Sequence, residues 1–462
     1  MVERAERRDE PSRLDEPGQE RETSTARERV SPRKLLALAL PALGVLAAEP
    51  LYLLVDTAVV GHLGAVPLGG LALGGTLFTL VSSQLTFLSY GTTARTARLH
   101  GAGRRADAVA EGAQATWLGA AVGAVLLVLA QLLAVPVANL LVGPGEIADA
   151  AASWVRIALL GAPLVLITMA GHGWMRGVQD TARPFRYVLV GNGLSAALCP
   201  LLVHLAGWGL EGSAVANLAG QVVGASLFVR ALVVERAPLQ PRPSQMRQQL
   251  GLGRDLVLRS LSFQACFLSA TSVASRFGAD AVAAHQVVWQ LWTFLSLVLD
   301  SLAIAAQSLV GAALGGASVR RAKGVARQVT WYGLAFGAVL AGVFTALAGV
   351  LPAAFTGDPA VLGEVPHAWW FFTLLQPVAG VVFALDGVFL GAGDAAYLRT
   401  WTMTSALVGY LPLIWLSLAF GWGLLGIWSG LTLFMLLRLA TLLVRLVSGK
   451  WAVTGQVPAS AA

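Results

Sequence analysis

Apolar residues run through this chain in long blocks separated by short polar breaks. About 20 apolar residues suffice to carry a helix across a bilayer. Twelve such blocks stand out, at about 35–60, 67–91, 110–135, 153–175, 184–206, 212–234, 254–276, 282–313, 326–350, 366–390, 398–420 and 424–447. They predict an all-α integral membrane protein with twelve transmembrane helices. The eighth block is long, with room to tilt or to continue beyond the membrane. Residues 1–32 read as a disordered tail: they are polar, charge-balanced and nearly free of large apolar side chains. No apolar core marks that tail as a secretory signal. Residues 449–462 read as a short C-terminal tail.

Composition sharpens the membrane reading. Only 12% of residues are charged and 56% are hydrophobic. Nine Lys or Arg and nine Asp or Glu fall within residues 1–34, close to a third of all charges. The remainder is too sparsely charged to cover a water-soluble surface, which excludes a soluble enzyme. The breaks after blocks 1, 3, 5, 9 and 11 hold no Lys or Arg, and the break after block 7 has only Arg276 at its edge. The alternate breaks carry Arg104 and Arg105; Arg183; Arg236, Arg242 and Arg247; Arg320, Arg321 and Lys323; and Arg399. By the positive-inside rule those breaks and both termini face the cytoplasm, in the plasma (inner) membrane. The net charge of +7 is then a topological signal and does not point to nucleic acid.

The chain repeats itself at an offset of about 214 residues. Gly64-Ala65 matches Gly278-Ala279, and Pro163 matches Pro377. Gly173, Gly177 and Asp180 match Gly387, Gly391 and Asp394, and Gly207-Trp208-Gly209-Leu210 matches Gly421-Trp422-Gly423-Leu424. Each half holds six spans, so the halves share orientation, as in parallel-repeat transporters whose site lies between two bundles. The expected organisation is an N-lobe at 33–234, a proline-rich polar linker at 235–253 and a C-lobe at 254–448.

Ionisable residues inside a membrane are costly and mark candidate function. Asp56 falls late in the first span, with Glu49 and Tyr52 expected on the same helix face. Pro50 removes a backbone donor there and predicts a kink. A stripe on the eighth span reads Trp289, Trp292, Ser296, Asp300, Ala303, Gln307. Its two indoles and carboxylate suit an organic cation, although tryptophans also serve as interface anchors. Counting from the turn at Gly278–Asp280 puts Arg259 at the depth of Asp300, which predicts a gated ion pair between them; Arg259 snorkelling to the lipid surface is the alternative. Asp386 reads as a helix-end residue. The histidines have no metal spacing, Cys199 and Cys266 suggest neither disulfide nor metal site, and no metal site or catalytic residue is expected. No G-x-x-x-x-G-K-[ST] motif is present, so no on-chain ATPase is read.

Several segments resemble the multidrug and toxic compound extrusion (MATE) family, in its DinF-like branch. They are Glu49-Pro50-Leu51 with Leu54-Val55-Asp56-Thr57-Ala58 and Gly61-His62-Leu63-Gly64; Gly101-Ala102-Gly103-Arg104-Arg105; Met175-Arg176-Gly177-Val178-Gln179-Asp180-Thr181-Ala182-Arg183-Pro184; Ala283-Ala284-His285-Gln286; Leu299-Asp300-Ser301 through Gln307-Ser308-Leu309-Val310-Gly311; and Gly387 through Gly391-Ala392-Gly393-Asp394. The likeness spans about residues 33–450. It implies two six-helix lobes around a V-shaped cavity, and antiport of organic compounds against H⁺ or Na⁺. It also implies that Asp56 carries coupling and that Asp300 matters for transport. Asp394 lacks the proline that follows Asp180, so the second-half loop departs from the first.

The expected function is secondary active efflux of a small organic substrate, cationic or amphipathic, coupled to protons. Asp56 and Asp300 are the coupling candidates. Glu49, Tyr52, Trp289, Trp292, Arg259 and Gln307 are the cavity candidates, with Pro50, Gly177, Asp180, Gly391 and Asp394 structural. No cofactor beyond the coupling ion, no nucleic acid and no ATPase subunit is expected. A Na⁺-coupled antiporter of the same fold and a lipid-precursor flippase are the alternatives.

Overall fold

The computed structural model describes residues 30–455; most of the expected N-terminal tail, residues 1–29, lies outside them. Helices account for nearly all of the ordered backbone, and no strand occurs among the described residues. Eleven helices are long and apolar enough to span a bilayer. They are α1 (Pro32–Gly61), α2 (Ala65–Gly101), α3 (Arg105–Val142), α4 (Glu146–Gly177), α5 (Ala182–Leu205), α6 (Gly209–Val234), α7 (Pro243–Ser275), α8 (Ala279–Gly315), α9 (Val319–Ala346), α11 (Ala395–Phe420) and α12 (Gly423–Ser448). The twelfth span, α10, is a pair, Pro366–Leu374 and Gln376–Gly391, bent by 48° at its break. Pro366 opens the first segment and Pro377 follows the break, where the missing N–H costs least. Leu, Val and Phe side chains stay exposed around the bundle, among them Leu132, Leu140, Val444 and Val447. The molecule is an integral membrane protein.

The repeat is written into the backbone. Positive φ recurs in pairs 214 residues apart: Gly64 and Gly278, Gly103 and Ala317, Gln179 and Gly393, Gly207 and Gly421, Gly209 and Gly423. Corresponding turns therefore share their geometry even where one half has lost the glycine. Helix packing repeats too. Gly123 of α3 lies against Pro163 of α4, and Gly337 of α9 lies against Pro377 of α10, so close that a Cβ at Gly337 would meet Pro377 Cα at 2.7 Å.

Two expectations about segments need correction. Residues 243–253 are not linker: α7 begins at Pro243, and Gln249, Leu252 and Gly253 are buried. Proline signals a helix start when it occupies the first turn, where its lost N–H is not needed. Likewise, the chain after α12 is packed at first. Trp451 is buried against Phe389, and Arg98 of α2 donates to the carbonyls of Val453 (2.9 Å) and Gly455 (2.9 Å) as well as Ala392 (2.6 Å).

The lobes are pinned together at the end that carries the termini. Leu35, Leu38 and Ala39 of α1 share a buried cluster with Leu309, Val310 and Ala313 of α8. Gly101 of α2 abuts the Ala312 backbone of α8, and Gly315 abuts the Arg98 carbonyl. Small residues let these backbones approach, the usual basis of helix association in lipid. Among the eleven unbroken spans the most apolar stretch of α8 is 78% buried and no other exceeds 50%; the second segment of α10, packed against it, is also mostly buried. α8 is thus the central strut against which both lobes rest.

Candidate functional site

Two polar clusters lie inside the apolar bundle. The first is in the N-lobe. Tyr52 and Asp56 are one turn apart on α1 and both are buried. Asp56 meets α5, where the Cys199 thiol donates to its Oδ1 at 3.2 Å. Ser213 of α6 is beside the carboxylate, and Ser195 and Asn217 are beside Tyr52. The Ser213 hydroxyl accepts from Trp154 Nε1 at 3.1 Å. Asp56 Oδ2, the Tyr52 hydroxyl and the Ser195 hydroxyl are buried and make no well-formed hydrogen bond among the described residues, although Tyr52 and Ser213 stand next to the carboxylate and Ser195 and Asn217 next to Tyr52. Asp56 makes no ion pair there. A buried carboxylate with one oxygen on a thiol and the other unsatisfied is high-cost unless a further group completes it.

Glu49, expected beside Asp56, is instead exposed and makes no hydrogen bond or ion pair among the described residues. Seven residues keep Glu49 near the face of Asp56 but put it about 10 Å away along the helix axis, beyond the pocket. α1 is assigned as one helix that contains both Pro41 and Pro50, and Pro50 is exposed.

The second cluster lines a cavity of about 380 Å³ between α2 of the N-lobe and α7, α8, α10 and α12 of the C-lobe. Four residues of the predicted stripe, Trp289, Trp292, Ser296 and Asp300, line the cavity, whereas Ala303 and Gln307, the latter expected there, are buried outside its lining. Asp300 accepts the hydroxyl of Tyr90. Gln307, two turns further along α8, donates to the Tyr90 carbonyl at 2.7 Å. One α2 residue is therefore clasped at side chain and backbone by α8, and the two lobes meet at Tyr90. Trp289 stands edge-on to Phe267 at 4.6 Å.

Arg259 does not pair with Asp300. Its Nη2 donates to Asp386 Oδ2 at 2.6 Å, and Arg438 of α12 donates to the same oxygen. Depth counting placed Arg259 and Asp300 at one level but says nothing of the direction each faces around its helix. Asp386 is consequently a cavity residue, bridged by two guanidiniums, and not a helix-end residue. Sequence reasoning named Asp386 but read it as a helix-end residue, and it gave no site role to Tyr90, Arg438 or Arg176. Arg438 was visible as an arginine well inside the last apolar block, with Arg445 nearer its end, the signal that had singled out Asp56 and Asp300.

The paired loop motifs act as structural clamps. Arg183 binds Asp180 through its side chain, and its backbone N–H reaches Asp180 Oδ1 at 3.0 Å. Asp394 instead receives Arg445 Nε of α12 at 2.7 Å. Where the proline-containing turn is absent, the clamp comes from another helix. Gly177 lies against Thr96 and Gly391 against the Gln307 carbonyl, both too close for a Cβ.

The MatE family model matches residues 41–201 and again 256–416, one match per lobe. The chain is 32% identical to Protein DETOXIFICATION 44, chloroplastic, of Arabidopsis thaliana, over 90% of this chain and 81% of that one. It is 32% identical to the DNA damage-inducible protein F of Escherichia coli, over 88% of this chain and 90% of that one. In fold it is similar to a MATE crystal structure in the bent conformation, with TM-score 0.83, 21% identity, and 90% and 94% of the two chains covered. It is also similar to an outward-facing multidrug resistance MATE transporter, with TM-score 0.77, 22% identity, and 90% and 94% covered.

Proposed function

The chain belongs to the MatE family, and from that premise we propose that it exports small organic compounds by proton antiport, with Asp56 as the coupling group and the inter-lobe cavity as the substrate site. The observation that carries this reading is the buried Asp56 Oδ2, which lacks a well-formed hydrogen bond although the Tyr52 and Ser213 hydroxyls stand beside it. A proton on the carboxyl supplies the missing O–H and removes the buried charge. Its departure restores the charge and disfavours the pocket's closed packing, which gives α1 two states for the ion to select between. Asp300, on the strut that touches both lobes, is positioned to relay that change to the cavity through Tyr90.

The ligand chemistry favours H⁺ over Na⁺. Na⁺ is a hard cation that seeks several oxygens, the preference seen for other hard cations. Here a soft thiol occupies Asp56 Oδ1. The distribution of Arg and Lys supports placing the end that carries the termini in the cytoplasm of a plasma membrane. With the lobes pinned at that end, the structure is then closed to the cytoplasm. In the cycle, protons arrive from outside, substrate leaves, and the emptied protein turns inward to release the proton.

The test uses everted membrane vesicles with a respiration-generated ΔpH followed by a quenched dye. Substrate-dependent collapse without Na⁺, abolished in Asp56→Asn, is the expected result. Collapse that persists in Asp56→Asn, or that requires Na⁺, overturns the coupling assignment.

A further inference from the structure

The cavity's charges are arranged for a ligand opposite in sign to the one its tryptophans first suggest. Arg259 and Arg438 share Asp386. Asp300 is already taken by the Tyr90 hydroxyl and lies in the field of Arg176 and Arg259. Three guanidiniums thus act around two carboxylates, an excess of one positive charge. An entering cation would have to be desolvated beside two arginines, and the carboxylate oxygen left free, Asp386 Oδ1, is buried on the group that both of them bind.

Both cavity arginines are poised to receive an anion. Each lies over the Phe263 ring, Arg259 at 5.4 Å and Arg438 at 5.1 Å, and Arg438 also faces Phe434 at 5.5 Å. The ring faces attract both guanidiniums by cation–π interaction and keep them in the cavity wall, and a guanidinium's fork of N–H donors matches a planar carboxylate. Arg259 Nε is a buried donor, and Asp386 Oδ1 a buried acceptor, without a partner among the described residues. Asp386 therefore uses only part of what the two arginines offer. Opposite them, Phe267, Trp289 and Trp292 supply apolar ring surface.

Resting on the reading of this cavity as the substrate site, we propose that it takes an amphipathic organic anion. The ligand is a flat apolar ring system bearing a carboxylate, bound by Arg259 and Arg438 with its rings among Phe267, Trp289 and Trp292. Asp386 is the internal stand-in that holds the arginines in place and yields part of their donors to the ligand.

Three probes on one ring test this: 2-naphthoate, 2-naphthamide and 2-naphthylmethylammonium, carrying negative, zero and positive charge. Their binding to the purified full-length protein is measured by equilibrium dialysis. Naphthoate is expected to bind at least about tenfold more tightly than the amide, with the ammonium weakest. Asp386→Asn releases the arginines and is expected to tighten naphthoate severalfold. Arg259→Gln, and Arg438→Gln where it elutes as the same monodisperse species, are expected to erase the preference over the amide. An ammonium that binds most tightly, an amide equal to naphthoate, or an Asp386→Asn that weakens naphthoate overturns the proposal while leaving the cavity as a binding site. Failure of all three probes removes the cavity itself as the site and the proposal with it.

Discussion

The contact between α2 and α8 near the termini gives a direct test of how the lobes are held. Gly101→Ala adds one methyl group where the structure has none to spare. Its Cβ would stand 2.6 Å from Ala312 Cα, with the Ala312 carbonyl nearer still, against 3.4–4 Å for an ordinary contact. The two backbones must part by about 1 Å, and overpacking of this kind costs about 1–3 kcal/mol. The cost falls only on the state in which this face is closed. The equilibrium between closed and open faces should therefore shift toward open by about 5- to 150-fold. The reporter is Ser308→Cys, at a position buried between the lobes whose native hydroxyl donates to the Arg176 carbonyl at 2.8 Å. Its rate of alkylation by a membrane-permeant maleimide should rise in Gly101→Ala relative to the reporter alone. The control is Gly75→Ala, where an added Cβ meets nothing within 4 Å. An unchanged rate in Gly101→Ala, or an equal rise in Gly75→Ala, refutes the reasoning.

Three other outcomes are expected. Trp451→Ala empties a fully packed site against Phe389. It should cost about 3–5 kcal/mol, seen as a lower thermal aggregation temperature in detergent, with Trp451→Phe recovering most of the loss. Asp255 of α7 is completely buried and accepts from Arg399 of α11. Asp255→Ala should cost about 3–5 kcal/mol by stranding the arginine, and a double-mutant cycle with Arg399→Gln should show strong coupling. Glu235, in the loop before α7, is held below the ordinary carboxylate range: partial burial opposes this, but hydrogen bonds and charge from Arg105 and Arg183 outweigh it. Its contribution, under about 1 kcal/mol for so open a site, is present above the unfolded value near 4.5 and fades as pH falls through the folded one. Thermal stability measured across that window should lose this component of its acid dependence in Glu235→Gln.

The spans and the duplication were legible because lipid imposes a length and a composition on every crossing helix. The 214-residue offset found in glycines reappears as paired positive-φ turns, and it survives at Ala317 and Gln179, where the glycine itself is gone. The stripe through Trp289, Trp292 and Asp300 was legible because helical period alone places it on one face. Partner choice was not. Arg259 and Asp300 share a depth, yet the orientation of α7 turns Arg259 to Asp386, and that orientation depends on side-chain packing with α12 that no periodicity records. The Asp56 pocket shows the same limit: Tyr52 follows from α1 alone, whereas Cys199 and Ser213 arrive from α5 and α6 through tertiary packing.

Arg98 belongs to one lobe, and the carbonyls of Val453 and Gly455 that it grips belong to the chain leaving the other. A rigid movement that parts the lobes at this face cannot keep all of these bonds. In the proposed cycle each opening would therefore unfasten Val453 and Gly455, and each closing would tie them down again. Residues 453–455 would then report which face of the protein is open. A bulky fusion appended there pulls on that knot, whereas one placed on the loop between α9 and α10, at the other end of the bundle, leaves it undisturbed.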